Sequence, residues 1–412
     1  MPGALAPAWS KALGSELWIP TMKLSRWLVQ AGGAAAACCG CAQAQDSTLQ
    51  LYGSIDVSVA RFSGVRQHPY DPDVGPVPTA VTGMGAGGVT GSRLGVRGAT
   101  RLTPGLRLDF LAETGFCGVG LNQLDAGGDP ECSGGGFMQR AAWIGLEGRL
   151  GTLRGGRQAT LLDEHSAQGD AFEGAFLGQV GNISLVGNNR AGLDMSRLSQ
   201  ALSWSTPDRG GFGLQAQFTP HARGTRSDAD ADDARDPQVW ILGAHYRAAA
   251  LTLGFDWSRW RHAYAGAGQT QGETYRLWQA YASLGLGALD LYAQAQQGSA
   301  DGATGRQRMI DLGLGLPLGR GRLMASIGHH IDSMAPAPRR VDSSHATQVA
   351  VGYSHPLSAR TLVYASAAHI VNEGATPTRL GTALAVGAAG DVVHGIVGRN
   401  SNGVSLGLSH SF

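Results

Sequence analysis

Five aspartates, Asp228, Asp230, Asp232, Asp233 and Asp236, are spaced like the carboxylate ligands of a calcium loop. Such a loop needs a glycine at its sixth position and a glutamate at its twelfth, and neither is present. The cluster therefore reads as a solvated acidic loop, with a divalent-ion bridge to anionic groups around it as the alternative. Gly83-Met84-Gly85-Ala86-Gly87-Gly88 fits the glycine pattern that cradles a pyrophosphate. It lacks the strand before it and the helix after it that the chemistry requires, so these are read as loop glycines. His329-His330 and the other histidines have no HExxH spacing, and no GxSxG elbow accompanies the serines. No cofactor, no metal site and no catalytic residue is expected, and the chain is read as something other than an enzyme. A barrel lipase or protease with a Ser–His pair on its outer wall is the rival in that class.

The charges that do stand out lie on strands. In 49–59, Leu49, Leu51, Ile55, Val57 and Val59 share one parity, and Gln50, Tyr52, Ser54, Asp56 and Ser58 the other. The same alternation holds in 212–219, 251–258 and 289–296, where Leu289, Leu291, Ala293 and Ala295 oppose Asp290, Tyr292, Gln294 and Gln296. Strict period two marks strands with two unlike faces. Asp56, Arg93, Arg97 and Asp290 fall on the polar parity, where a dry core would penalise them and a wet lumen would not.

Such strands are predicted near 49–62, 90–101, 105–116, 138–150, 152–160, 199–206, 212–220, 238–248, 250–262, 274–287, 289–299, 307–318, 320–332, 344–356, 360–372 and 401–412. That is about sixteen, an even number, joined alternately by tight turns (319–320, Ala288) and long stretches (63–89, 117–137, 161–198, 221–237, 373–400), as a membrane β-barrel requires. Strands of this length can cross a bilayer at a tilt, whereas soluble strands are shorter. Closure pairs every backbone group, which lipid demands. Trp257, Trp260, Tyr275 and Trp278, near strand ends, read as an interfacial girdle. In 138–150 Arg140 shares parity with Ile144 and Leu146 and opposes Trp143, which calls for a bulge. The 63 glycines suit many strands and turns, and a net charge of +1 offers nothing to attract nucleic acid.

The N-terminus reads as a targeting segment. Lys23 and Arg26 precede an apolar run from Trp27 to Cys39 and then Ala42-Gln43-Ala44, a cleavage pattern. On this reading residues 1–21 are an upstream extension, Met22 is the true start, cleavage follows Ala44, and 45–412 is one transmembrane barrel domain. A lipoprotein signal ending at Cys38 is the rival. Cys117 and Cys132 remain after cleavage, in an oxidising compartment, and are expected to form a disulfide worth about 3 kcal/mol; two free thiols are the alternative.

At the C-terminus Val404, Leu406, Leu408, His410 and Phe412 share one face and end on an aromatic, like the signal read by the barrel-assembly machinery. Together with Leu51-Tyr52-Gly53-Ser54-Ile55-Asp56, Gly91-Ser92-Arg93-Leu94-Gly95-Val96-Arg97-Gly98, Arg140-Ala141-Ala142-Trp143-Ile144-Gly145-Leu146-Glu147 with Gly155-Gly156-Arg157-Gln158, and Ser203-Trp204-Ser205-Thr206-Pro207, this resembles the general Gram-negative outer-membrane porins of β-proteobacterial type. The resemblance implies a sixteen-stranded homotrimer whose third loop, here 161–198, folds inward, with acidic groups facing a ladder of wall arginines. Arg93, Arg140 and Arg197 match that ladder, and Arg97 and Arg154 join it from parity. Asp163, Asp170 and Glu173 are the acidic candidates, although the family's Pro-Glu-Phe-Gly-Gly loop motif is absent.

The expected function is a water-filled outer-membrane channel for passive diffusion of small hydrophilic solutes and ions. Basic lumen candidates outnumber acidic ones, which implies mild anion preference. Outer-membrane lipid and lipopolysaccharide are its expected surroundings. A plugged structural or adhesive barrel is a further alternative.

Overall fold

A computed structural model describes residues 47–66, 79–116, 138–187, 195–220, 238–261, 274–301, 303–336, 344–373, 385–386, 391–392, 394–395 and 400–412. The expected targeting segment, Cys117, Cys132 and the Asp228–Asp236 cluster lie outside the described residues.

Period two builds one antiparallel sheet. Its strands are β1 (Ser47–Arg66), β2 (Thr79–Ala86), β3 (Arg93–Thr103), β4 (Leu106–Gly115), β5 (Ala141–Gly148), β6 (Gly151–Ala159), β7 (Arg197–Ser205), β8 (Phe212–Thr219), β9 (Val239–Arg247), β10 (Leu251–Arg261), β11 (Thr274–Leu286), β12 (Leu289–Ala300), β13 (Gln307–Leu318), β14 (Gly321–Asp332), β15 (Ser344–Pro356), β16 (Thr361–Glu373) and β17 (Ser401–Ser411). From β3 to β17 each strand pairs with the next; β17 pairs with β1 from Ser54↔Ser411 to Ser63↔Asn402, and β1 pairs with β3 from Ser47↔Thr100 to Ser54↔Arg93. Among the described residues, sixteen strands thus close into a barrel, as expected, with β2 as an added segment. Gly287 and Gly319, in the two-residue turns after β11 and β13, have φ of 76° and 63°, a conformation cheap only for glycine.

The two faces separate as the alternation predicts. Leu51, Ile55, Leu214, Leu253, Phe255 and Leu291 are exposed on the outside, while Ser54, Asp56, Ser58, Gln217, Asp256 and Gln294 are buried on the inside. Only lipid can solvate such an outer wall.

Three expectations are corrected. The stretch 63–89 is not all loop: β2 pairs back on β1 from Val57↔Ala86 to Val65↔Thr79. Gly83 and Gly85 weaken its local strand signal, but β3 covers β1 only up to Ser54, and the open edge above recruits the segment. Trp260 and Tyr275 are not girdle residues. They point inward, 1% and 0% exposed, with rings 4.7 Å apart, while Trp257 and Trp278 keep the outer face. The parity conflict at Arg140 disappears because β5 starts at Ala141, after a turn in which Met138 has φ of 64°; Ile144 and Leu146 then point outward.

The apolar core is not sandwiched between sheets. Two clusters, one around Leu162, Ile183, Leu185 and Trp260 and one around Phe172, Leu177, Ala350 and Ile370, fill the space between segment 160–186 and the inward faces of the strands.

Candidate functional site

Segment 160–186 lies inside the barrel, and side chains of the polar parity hold it there. Helix α1 (Leu161–Gln168) begins at Thr160, whose hydroxyl accepts from the Asp163 N–H at 3.1 Å. His165 Nδ1 lies 2.8 Å from Asp256 on β10, and Gln279 on β11 donates to the other Asp256 oxygen at 3.0 Å. Further on the chain is irregular, so its backbone groups need outside partners. Neutral glutamines supply them, each being both donor and acceptor. Gln296 accepts from the Leu185 N–H at 2.7 Å, and Gln348 donates to the Gly178 carbonyl at 2.9 Å and accepts from Asn182 at 2.8 Å.

The three predicted loop acids have different fates. Asp170 is fully buried, and its carboxylate accepts from the N–H groups of Phe172, Gly174 and Val180, each at 3.0 Å. It is the knot that folds the loop tip, not a group presented to the passage. Burial pushes its carboxyl up to about 6, against the pull of those three N–H groups. Glu173 is the group at the tip. It is 65% exposed, in a left-handed conformation at φ 57°, and receives Arg322 Nη1 from β14 at 2.7 Å. Asp163 sits half-exposed in the first turn of α1. Glu164, which sequence reasoning passed over, is exposed to the lumen and feels the positive charges of Arg154 and Arg197. Deep inside the barrel, partial desolvation still pushes its carboxyl up.

The basic wall is built on β3–β6. Glu113 on β4 is its hub and was also missed. It accepts from Tyr52 at 2.6 Å and from Arg140 Nε at 2.8 Å, and Arg93 approaches to 3.7 Å. Arg140 is buried by this pairing, 7% exposed, and is a wall support more than a pore-facing charge. Arg93 is 33% exposed against 10% for Glu113. Arg154 lies 4.3 Å over the Trp143 ring and 3.4 Å from Asp109, 43% exposed against 17% for Asp109. Arg97 donates to Gln50 at 2.9 and 2.8 Å and lies 5.3 Å from the Tyr52 ring centre. Arg197, half-exposed at the start of β7, faces the charge of Glu164. Arg322 is a further lumen arginine absent from the predicted set; it also donates to Asp290 at 3.1 Å and Tyr292 at 2.5 Å. Its place on the polar parity of β14 was the available signal.

Between β2 and β3 the wall breaks at residues 87–92. Asp56, expected as a lumen charge, holds this break: it accepts from the N–H groups of Gly88, Val89 and Thr90 at 3.2, 2.9 and 3.2 Å and from Tyr364 at 2.6 Å. The Gly88 carbonyl in turn accepts from the Phe176 N–H at 2.6 Å, so the break grips the loop tip.

Segment 160–186 packs on the inner faces of β10–β16 with Glu164 and Glu173 exposed on it, while Arg93, Arg97 and Arg154 lie at least partly exposed on β3–β6. Val404, Leu406, Leu408 and Phe412 are exposed together on the outer face, and the backbone of Phe412 exchanges hydrogen bonds with Gly53 at 3.0 and 3.2 Å. Among the described residues no cluster of His, Cys, Asp and Glu could hold a metal ion.

Comparison with known proteins adds an independent line. A family profile described as Gram-negative porin matches residues 31–375. The chain is 25% identical over 386 residues to outer membrane porin protein 32 of Delftia acidovorans, covering 92% of this chain and 98% of that protein. It is 30% identical over 198 residues to an outer membrane porin protein of Bordetella pertussis, covering 47% and 46%. In fold it is similar to the anion-selective porin from Comamonas acidovorans, with a TM-score of 0.69 at 22% identity over 89% of this chain and 100% of that one. OmpT of Vibrio cholerae in its trimer form gives 0.62 at 13% identity, over 89% and 100%.

Proposed function

This chain belongs to the Gram-negative porin family, and on that premise we propose that its passage runs between the free edge of segment 160–186 and the arginine wall of β3–β6 and mildly prefers anions. That the protein is an outer-membrane β-barrel channel for passive diffusion follows from the family and the fold; its relatives are channels and not enzymes.

One observation carries the anion preference. Arg93 and Arg154 are more exposed than the carboxylates behind them, 33% against 10% and 43% against 17%. A passing ion meets guanidinium first and carboxylate second, and charges at such close quarters set ion preference. Glu164 and Glu173 across the passage make the field transverse, so polar solutes orient in it. The name of the Comamonas relative supports the same sign.

The remaining partners belong to this reading. The chain is exported by a cleaved signal around residues 22–44, inserted by the barrel-assembly machinery through its C-terminal face, and assembled as a homotrimer among lipopolysaccharide. Purified in detergent and placed in a planar bilayer under a KCl gradient, it gives a reversal potential on the chloride side; clear cation preference refutes the assignment. Insertion in three equal conductance steps supports the trimer, and solitary steps refute it.

A further inference from the structure

Just below the long-loop rim, the outer wall of β10–β14 carries a groove of about 480 Å³. The register explains it. Phe255, Ala280, Ala295, Ile310 and His329 form one row across these strands, and Trp278, Gln297, Arg308 and Ile331 form the row nearer the rim. Ala280 and Ala295 leave a trough between the larger Phe255 and Trp278 on one side and Ile310 on the other. The trough is apolar along its length, but its rim end is basic. Arg308 is exposed and meets no acidic partner among the described residues. His329 beside it is held by Thr347 at 2.8 Å and stacks on His345 at 5.6 Å. Arg259 and Arg276 stand directly opposite each other above it, with Asp301 bonded to Arg276 at 2.5 and 3.2 Å.

Arg308, with no counter-ion among the described residues and facing away from the lumen at the membrane boundary, lacks a partner that lipid tails cannot supply. The apolar groove ends at that arginine. The long-loop rim of such barrels faces outward, towards the leaflet built of phosphorylated glycolipid. We propose that this groove binds the lipid A portion of that glycolipid, with one acyl chain over Ala280 and Ala295 and a headgroup phosphate on Arg308 and His329. The proposal rests on the outer-membrane reading and makes one surrounding lipid a specific ligand.

The test is native mass spectrometry of the full chain in detergent, offered diphosphoryl lipid A or phosphatidylglycerol. The wild type is expected to retain lipid A in preference to phosphatidylglycerol. Arg308→Glu reverses one charge and should weaken retention about thirty-fold, equivalent to about 2 kcal/mol. Ala295→Trp fills the trough without changing charge and should also lose the lipid. Both variants should keep the wild-type single-channel conductance, which shows that they fold. Undiminished retention by both variants, or equal retention of phosphatidylglycerol, overturns the proposal. A change in oligomeric mass on Arg308→Glu would put a second copy of the chain on this face and overturn it too. Loss of conductance in the wild type would refute the pore reading alone, since lipid retention does not depend on it.

Discussion

Arg154→Gln is the sharpest probe of the passage. Arg154 is 43% exposed, its ionic partner Asp109 is 17% exposed, and its guanidinium carbon lies 4.3 Å from the centre of the Trp143 ring, so it is held on the wall from two sides. Glu164 on segment 160–186 feels its charge. Replacing it removes one positive charge and leaves Asp109 uncompensated. For an ion passing about 5 Å away, one unit charge in water is worth about 0.8 kcal/mol, and about 0.5 after screening at 0.1 M salt. Anion occupancy beside the wall should then fall about two- to fourfold, and the chloride-to-potassium permeability ratio by at least that factor. The assay is the reversal potential in a planar bilayer under a KCl gradient, with Arg154→Lys as control. Lysine keeps the charge but loses the guanidinium contact with Trp143, so the ratio should stay near wild type. The effect should shrink at 1 M KCl, where the screening length is about 3 Å. An unchanged ratio for Arg154→Gln, or equal losses for glutamine and lysine, refutes the claim that charge on this wall sets selectivity.

Three further outcomes are expected. Phe172→Ala empties a site that is fully buried and so tight that a Cβ on Gly178 would sit 2.4 Å from the ring; loosening the loop by about 3–5 kcal/mol should give larger, noisier single-channel currents, and quiet wild-type currents would count against the docking role. Asp170, raised to about 6 from an ordinary 3.8, is more easily protonated folded than unfolded, so thermal stability in detergent should rise as pH falls from above 6 towards 4, by up to about 3 kcal/mol. Asp170→Asn should remove most of that rise, and an unaltered pH profile in the variant would exclude Asp170 as its source. Leu312→Arg places a charge mid-strand on the outer wall, where leucine is 52% exposed, and should cost about 2–4 kcal/mol in unfolding from vesicles; an unmoved midpoint would mean that this face does not meet hydrocarbon.

The barrel was legible because its signal is local. Side chains alternate across a strand by covalent geometry, so a wall with lipid outside and water inside writes its faces into every second residue. All sixteen wall strands could be read this way, and so could their outward faces except in 138–150, where Arg140 set the parity in conflict with Trp143. The terminal face of Val404 to Phe412 and the arginines Arg93, Arg97 and Arg154 also followed from parity or motif. The errors fell where the period stops. Strand β2 formed because β1 had an open edge, a fact held by the neighbour and not by the glycine-rich segment itself. Trp260 and Tyr275 turned inward because segment 160–186 offers them an apolar partner that strand-end position cannot announce.

What the chain determines by itself is which side chains can face lipid and which can face water, since that choice is made residue by residue along each strand. Tertiary structure alone decides which charges reach the passage. Glu113 meets Tyr52, Arg93 and Arg140 from three separate strands or turns, and Asp170 spends its carboxylate on three backbone N–H groups of a loop without repeat. The reason is electrostatic: inside a barrel a charge is available to solutes only if nothing nearer neutralises it, and the nearest neutraliser comes from a distant part of the chain.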